Sequence, residues 1–157
     1  MNLGVLLNYR TQVEEALRTE LSRMQGVLYE AEALVAELER VAERETSQYL
    51  RDVAQGLGAE EVVGRQGELA ALADRIRQAK MTVETHRQRC GEKLEDVLAA
   101  AQERRKLELV EERQRHRAAV DATRAEQREL DELAAQRYLA EHRPQATSGQ
   151  GGERHED

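Results

Sequence analysis

The sequence predicts an all-α fold: a long antiparallel two-helix coiled-coil hairpin with helix 2 projecting beyond helix 1. Three observations carry this. Apolar residues recur in steps of three and four through most of the 157 residues, the spacing that keeps one helix face toward a partner. A single glycine cluster, GLGAEEVVGRQG at residues 56–67, interrupts the pattern. Charged residues make up 35% and aromatics 3%, with one proline and neither Trp nor Phe. Such a composition suits a thin seam between long helices, whereas a three-dimensional core needs large side chains in its middle. A seam has no room for a buried catalytic pocket, so the chain is not expected to be an enzyme.

Helix 1 is predicted over about residues 2–54. Its stripe reads Leu3, Leu6, Val13, Leu17, Met24, Val27, Ala31, Leu34, Leu38 and Val41. Leu7, Leu21, Leu28, Val35 and Tyr49 add a third column. Two readings fit three columns: helix 1 meets a neighbour besides helix 2, or the columns cover an imperfect seam.

The turn is predicted over about residues 55–67. Gly56 and Gly58 can each take positive φ at a helix C-terminus, and Glu60 and Glu61 favour a helix start through the macrodipole. Gly64 and Gly67 weaken the first turns of helix 2 by about 1 kcal/mol each relative to Ala, so that helix is expected to be firm only from Leu69. A phosphate-loop reading fails, because there is no GxxxxGK[ST], no third glycine of a dinucleotide fingerprint and no preceding strand.

Helix 2 is predicted over about residues 60–142, with the stripe Leu69, Leu72, Ile76, Ala79, Val83, His86, Cys90, Leu94, Val97, Ala100 and Leu107. At 1.5 Å per residue the helices run roughly 75–80 Å and on the order of 120 Å. Folding at Leu57 pairs residues whose numbers sum to about 114, setting Leu17 near Val97, Met24 near Cys90, Ala31 near Val83 and Leu38 near Ile76. Helix 1 then ends opposite residue 112, just where the stripe gives out after Leu107 and Val110. From Glu112 to Arg143 helix 2 is expected to stand alone, supported by opposite charges four apart, such as Glu111 with Arg115. Val120, Leu130, Leu133, Tyr138 and Leu139 on this stretch read either as a docking face or as scattered apolar residues on a charged helix. The hairpin thus occupies 1–143, and the polar, glycine-rich segment 144–157 is expected to be a disordered tail.

Charge and cysteine usage narrow the partners. The formal net charge is −7; residues 1–58 carry six Arg against ten acids, and residues 80–143 carry fourteen of each sign. No long segment is basic, so nucleic acid is not expected to bind; Arg104-Arg105-Lys106 reads as a solvated face beside Glu103 and Glu108. A lone Cys90 fits a reducing compartment. The start lacks the basic region of a signal peptide, residue 2 is Asn rather than an acylatable Gly, and no stretch approaches a membrane span. His86 and Cys90 sit four apart, but two ligands do not make a zinc site, so no metal is expected.

The run Glu103-Arg104-Arg105-Lys106-Leu107-Glu108, followed by Glu126-Gln127-Arg128-Glu129-Leu130-Asp131-Glu132-Leu133-Ala134-Ala135-Gln136-Arg137-Tyr138, resembles the closing region of the FliJ family of flagellar export proteins. Members share about this length, an antiparallel hairpin, a Gly-containing turn and a late ELDE-xAxxR stretch. The resemblance covers nearly the whole chain, and its specific part is the last stretch. It implies a non-enzymatic, cofactor-free cytoplasmic component of the flagellar type III export apparatus. Such a stalk sits in the pore of the export ATPase hexamer, links it to the export gate protein and escorts export chaperones, reaching the membrane only peripherally through these partners.

Under this resemblance Leu130, Asp131, Glu132, Leu133, Arg137 and Tyr138 are the ATPase-docking residues. Gate contact falls to Leu69, Leu72 and Ile76, where some members carry an aromatic residue after the turn and this chain offers only aliphatics. The equivalent stalk of a virulence-type secretion system and a generic coiled-coil scaffold or tether are the alternatives.

Overall fold

The computed structural model describes residues 2–144. Two helices account for nearly all of them, α1 at Leu3–Gln55 and α2 at Ala59–Glu141, with no strand among the described residues. The Asn2 side chain caps α1 by accepting from the Gly4 amide at 3.1 Å. Gly56 ends it with φ 108°, and its amide donates to the carbonyls of Asp52 and Val53, both at 3.1 Å. Only glycine takes that conformation without strain. The turn is therefore Gly56-Leu57-Gly58, and α2 begins at once, with the Val62 amide donating to the Gly58 carbonyl at 3.0 Å. Gly64 and Gly67, expected to delay α2 until Leu69, lie inside it: a cost of about 1 kcal/mol at each position lowers the helical tendency without ending the helix.

The described chain divides into one unit ending at Leu109 and another beginning at Val110. In the first, the two helices pack against each other along two heptad columns each, interrupted on α1 only at the exposed Glu45. On α1 the covered positions are Leu3, Arg10, Leu17, Met24, Ala31, Leu38 and Asp52 in one column, and Leu7, Glu14, Leu21, Leu28, Val35, Ala42 and Tyr49 in the other. The set expected to be a third column is thus half of the seam itself. Val27 and Leu34, expected inside, are 42% and 53% exposed on its flank. On α2 the columns run Val62, Leu69, Ile76, Val83, Cys90, Val97, Arg104 and Arg65, Leu72, Ala79, His86, Lys93, Ala100, Leu107. Leu94 is exposed, and Lys93 takes the seam position expected for it.

A buried cluster gathers Leu21, Cys90 and Val97, with the partly buried Leu17, Met24 and Leu28 packed against it. Ion pairs across the seam fix the register. Asp52 with Arg65, Glu39 with Lys80, Glu32 with Arg87 and Glu14 with Arg104 join residues whose numbers sum to 117–119, rather than about 114; the flexible Lys93 reaches Glu20 at 3.2 Å. Val97 therefore shares a layer with Leu21 and not Leu17. Side-chain direction explains about half of the difference. Side chains lean toward their own helix N-terminus by about one residue, which is away from the turn on α1 and toward it on α2. To meet, an α2 residue must lie about two positions farther from the turn than backbone symmetry suggests.

The second unit, taken by itself, is the part of α2 from Val110 to Glu141 and the residues after it. Side chains from Asp121 to Pro144 are all exposed. Local contacts brace the helix: Arg115 with Glu111, Gln127 Nε2 donating to Asp131 at 3.0 Å, and the ring of His142 stacked on Tyr138 with centroids 4.1 Å apart. The tail expected from 144 onward lies, beyond Pro144 itself, outside the described residues. No described helix is long and apolar enough to cross a membrane.

Candidate partner-docking surfaces

Leu130, Leu133, Tyr138 and Leu139 are exposed, Leu130 by 60%. Helical geometry does not gather them on one face. At about 100° per residue, Leu130, Leu133 and Arg137 fall within a sector of roughly 60°, and Tyr138 sits about 80° to one side of Leu130 with Asp131 beside it. Glu132 and Leu139 lie on the far side, about 160–180° away. The expected docking face is therefore narrower than its residue set, and Leu139 is not part of it. A shallow groove lined by Glu129, Glu132, Leu133 and Gln136 borders this face. Val120 is half-buried and shares the angular position of Tyr138, five turns earlier.

Leu69, Leu72 and Ile76 lie in the seam of the first unit, half-buried. The edges of Leu69 and Leu72 line a shallow groove with Val41, Glu45, Arg65 and Arg75. A partner would reach them only from that side. The hairpin tip instead exposes Leu50, Val53 and Val63, apolar residues that the stripe pattern did not single out because they lie off both columns.

Two polar clusters were also missed. Glu14 occupies a seam position and is only 5% exposed. Its carboxylate accepts from Arg104 and pairs with Arg18 at 2.8 Å, while Arg104 also donates to Glu108 at 2.6 Å. The Arg104 hydrogen bond is the chief reason that the Glu14 carboxyl sits below its ordinary value, against the opposing effect of burial. The signal was present in the sequence: Glu14 is seven residues from both Leu7 and Leu21, and Arg104 is seven beyond Val97. Nearer the turn, Arg65 donates to Asp52 at 2.8 Å and lies over the Tyr49 ring at 5.8 Å, and Gln66 donates to the Tyr49 hydroxyl at 3.3 Å. Asp52 is lowered mainly by Arg65, then by Gln48. His86 and the buried Cys90 occupy neighbouring seam layers, and no group of three or more potential metal ligands gathers among the described residues.

These surfaces are a hairpin seam closed by ion pairs, an apolar tip and an exposed helix carrying a narrow apolar face. No similar curated protein or solved structure is found. The sequence matches the FliJ family, described as the flagellar FliJ protein, over residues 1–143, which takes in both helices and all the surfaces above. The chain belongs to the FliJ family and is a flagellar export-related protein.

Proposed function

We propose that this protein is the non-enzymatic coiled-coil stalk of the flagellar export apparatus. Its helix from Val110 to Glu141 docks in the export ATPase hexamer, and the hairpin serves the export gate and export chaperones from the cytoplasmic side. The observation that carries the reading is the exposed helix of the second unit. Leu130 and Leu133 lie there on one face beside Arg137, with no apolar neighbour of their own unit covering them. A helix that docks in a groove concentrates its binding energy in a few such anchors.

Removal of residues 126–157 tests it. The truncated chain is expected to lose binding to the export ATPase and stimulation of its activity, while its thermal unfolding stays within a few degrees of the full chain. Leu130→Ala with Leu133→Ala is expected to weaken ATPase binding at least tenfold, and Leu139→Ala to leave it within twofold. Unchanged stimulation after truncation would refute the stalk assignment. Equal effects of Leu139 and Leu130/Leu133 would refute the face.

A further inference from the structure

We propose that the first turns of α2, residues 59–67, unwind and re-form independently of the rest of the hairpin, with the Asp52–Arg65–Tyr49 contact as the latch that holds them wound. Gly64 and Gly67 lie inside the helix, and a Cβ at either would meet nothing within 4 Å. Neither packing nor a positive φ requires glycine there, since Gly56 alone among the described glycines takes one. Each glycine nonetheless lowers the tendency of its position to stay helical about fivefold relative to alanine. Propensity is thus set low at a place where the fold would accept a better helix former.

The packing around the segment is correspondingly thin. None of residues 59–67 is buried; Val62 and Arg65 are half-covered, and Val63 is 68% exposed. The tie to α1 is polar: Arg65 on Asp52, its guanidinium over Tyr49, and Gln66 on the Tyr49 hydroxyl. Farther along, the seam holds the buried Val83, Cys90 and Val97. Local opening is favoured where apolar burial is low and backbone hydrogen bonds face solvent, and both conditions coincide here. Release of the latch would lengthen the three-residue turn and free Leu57 and Val62, which are half-covered in the wound state, to join Leu50, Val53 and Val63 at the tip. The device is independent of which partner the tip meets.

Amide hydrogen exchange of the full chain at neutral pH tests it. Amides of residues 63–68 are expected to exchange at least tenfold faster than those of residues 83–97. Arg65→Gln is expected to speed the former severalfold and leave the latter unchanged, with Glu39→Gln, which removes an exposed pair with Lys80, as the neutral control. Gly64→Ala with Gly67→Ala is expected to slow exchange of the segment by about 20-fold. Equal rates in the two segments, or a double alanine variant within twofold of the native chain, would overturn the proposal. Arg65→Gln without effect beyond that of Glu39→Gln would overturn the latch.

Discussion

The two units share one vocabulary of Ala, Glu, Leu, Arg and Gln and both are helical, yet they use it in opposite ways. Up to Leu109, apolar residues recur in strict heptads on two helices and cover each other, and oppositely charged residues reach across the seam. From Val110 on, the large apolar residues other than the half-buried Val120 are exposed and the charges brace the helix along its own length. Propensity and local pairs therefore suffice to write a helix, but only a matched stripe gives it an intramolecular partner. The stretch from Val110 on lacks that match.

The sharpest way to break this contrast is to truncate one leucine in each unit. Leu21→Ala removes a buried side chain from the cluster with Cys90 and Val97 and is expected to cost about 2–3 kcal/mol, read by urea unfolding of the far-UV signal. The value sits at the low end because a two-helix seam admits solvent around any gap. Leu133→Ala is expected to change stability by less than about 0.5 kcal/mol. Similar costs at both sites would mean that the second unit is also structurally partnered.

A smaller effect is expected from the polar layer. Glu14→Ala should cost about 1–3 kcal/mol, because it strips a buried carboxylate from two guanidinium groups. Its pH dependence has a definite sign. The native carboxyl lies below its ordinary 4.5, chiefly through the Arg104 hydrogen bond, so the unfolded chain binds the proton more readily. The stabilisation is complete above pH 4.5 and is lost as pH falls through the lower native value. The stability difference between the native chain and Glu14→Gln should thus be constant from pH 7 to about 5 and shrink toward pH 3. A difference that grows on acidification would show that Glu14 is destabilised by burial rather than rescued by Arg104.

The finest distinction concerns register and needs no change in stability. In a Cys90→Ala background, cysteines at Leu21 and Val97 should form an intrachain disulfide faster than cysteines at Leu17 and Val97, because the first pair shares a layer. The reverse order under mild oxidation would restore the symmetric register about Leu57. Crosslinks only between chains would replace the hairpin with a dimer.

Much of the architecture was legible. The period of three and four, a single glycine break and the scarcity of aromatics leave few folds other than a helical hairpin, and the late ELDE stretch pointed to the family. Less of the candidate site was legible. Leu69, Leu72 and Ile76 read from the stripe as seam residues, which they are, and the gate contact that the family resemblance assigned to them has only their half-covered edges to use. Leu139 counted as a docking residue by composition, although it lies half a turn away from Leu130.

The sequence by itself determined the two helices, the place of the turn and the family, because backbone propensity, glycine and heptad spacing are properties of one chain segment at a time. Only the tertiary structure decided which columns face inward. A stripe three columns wide is compatible with two seams, and the choice depends on what the opposite helix presents at each height. It fell on the column containing Leu7, Leu21, Leu28, Val35 and Tyr49, where Arg104 meets Glu14. The pairing offset was likewise beyond the pattern, because it depends on how side chains lean from two antiparallel backbones. That lean appears only when both helices are set against each other.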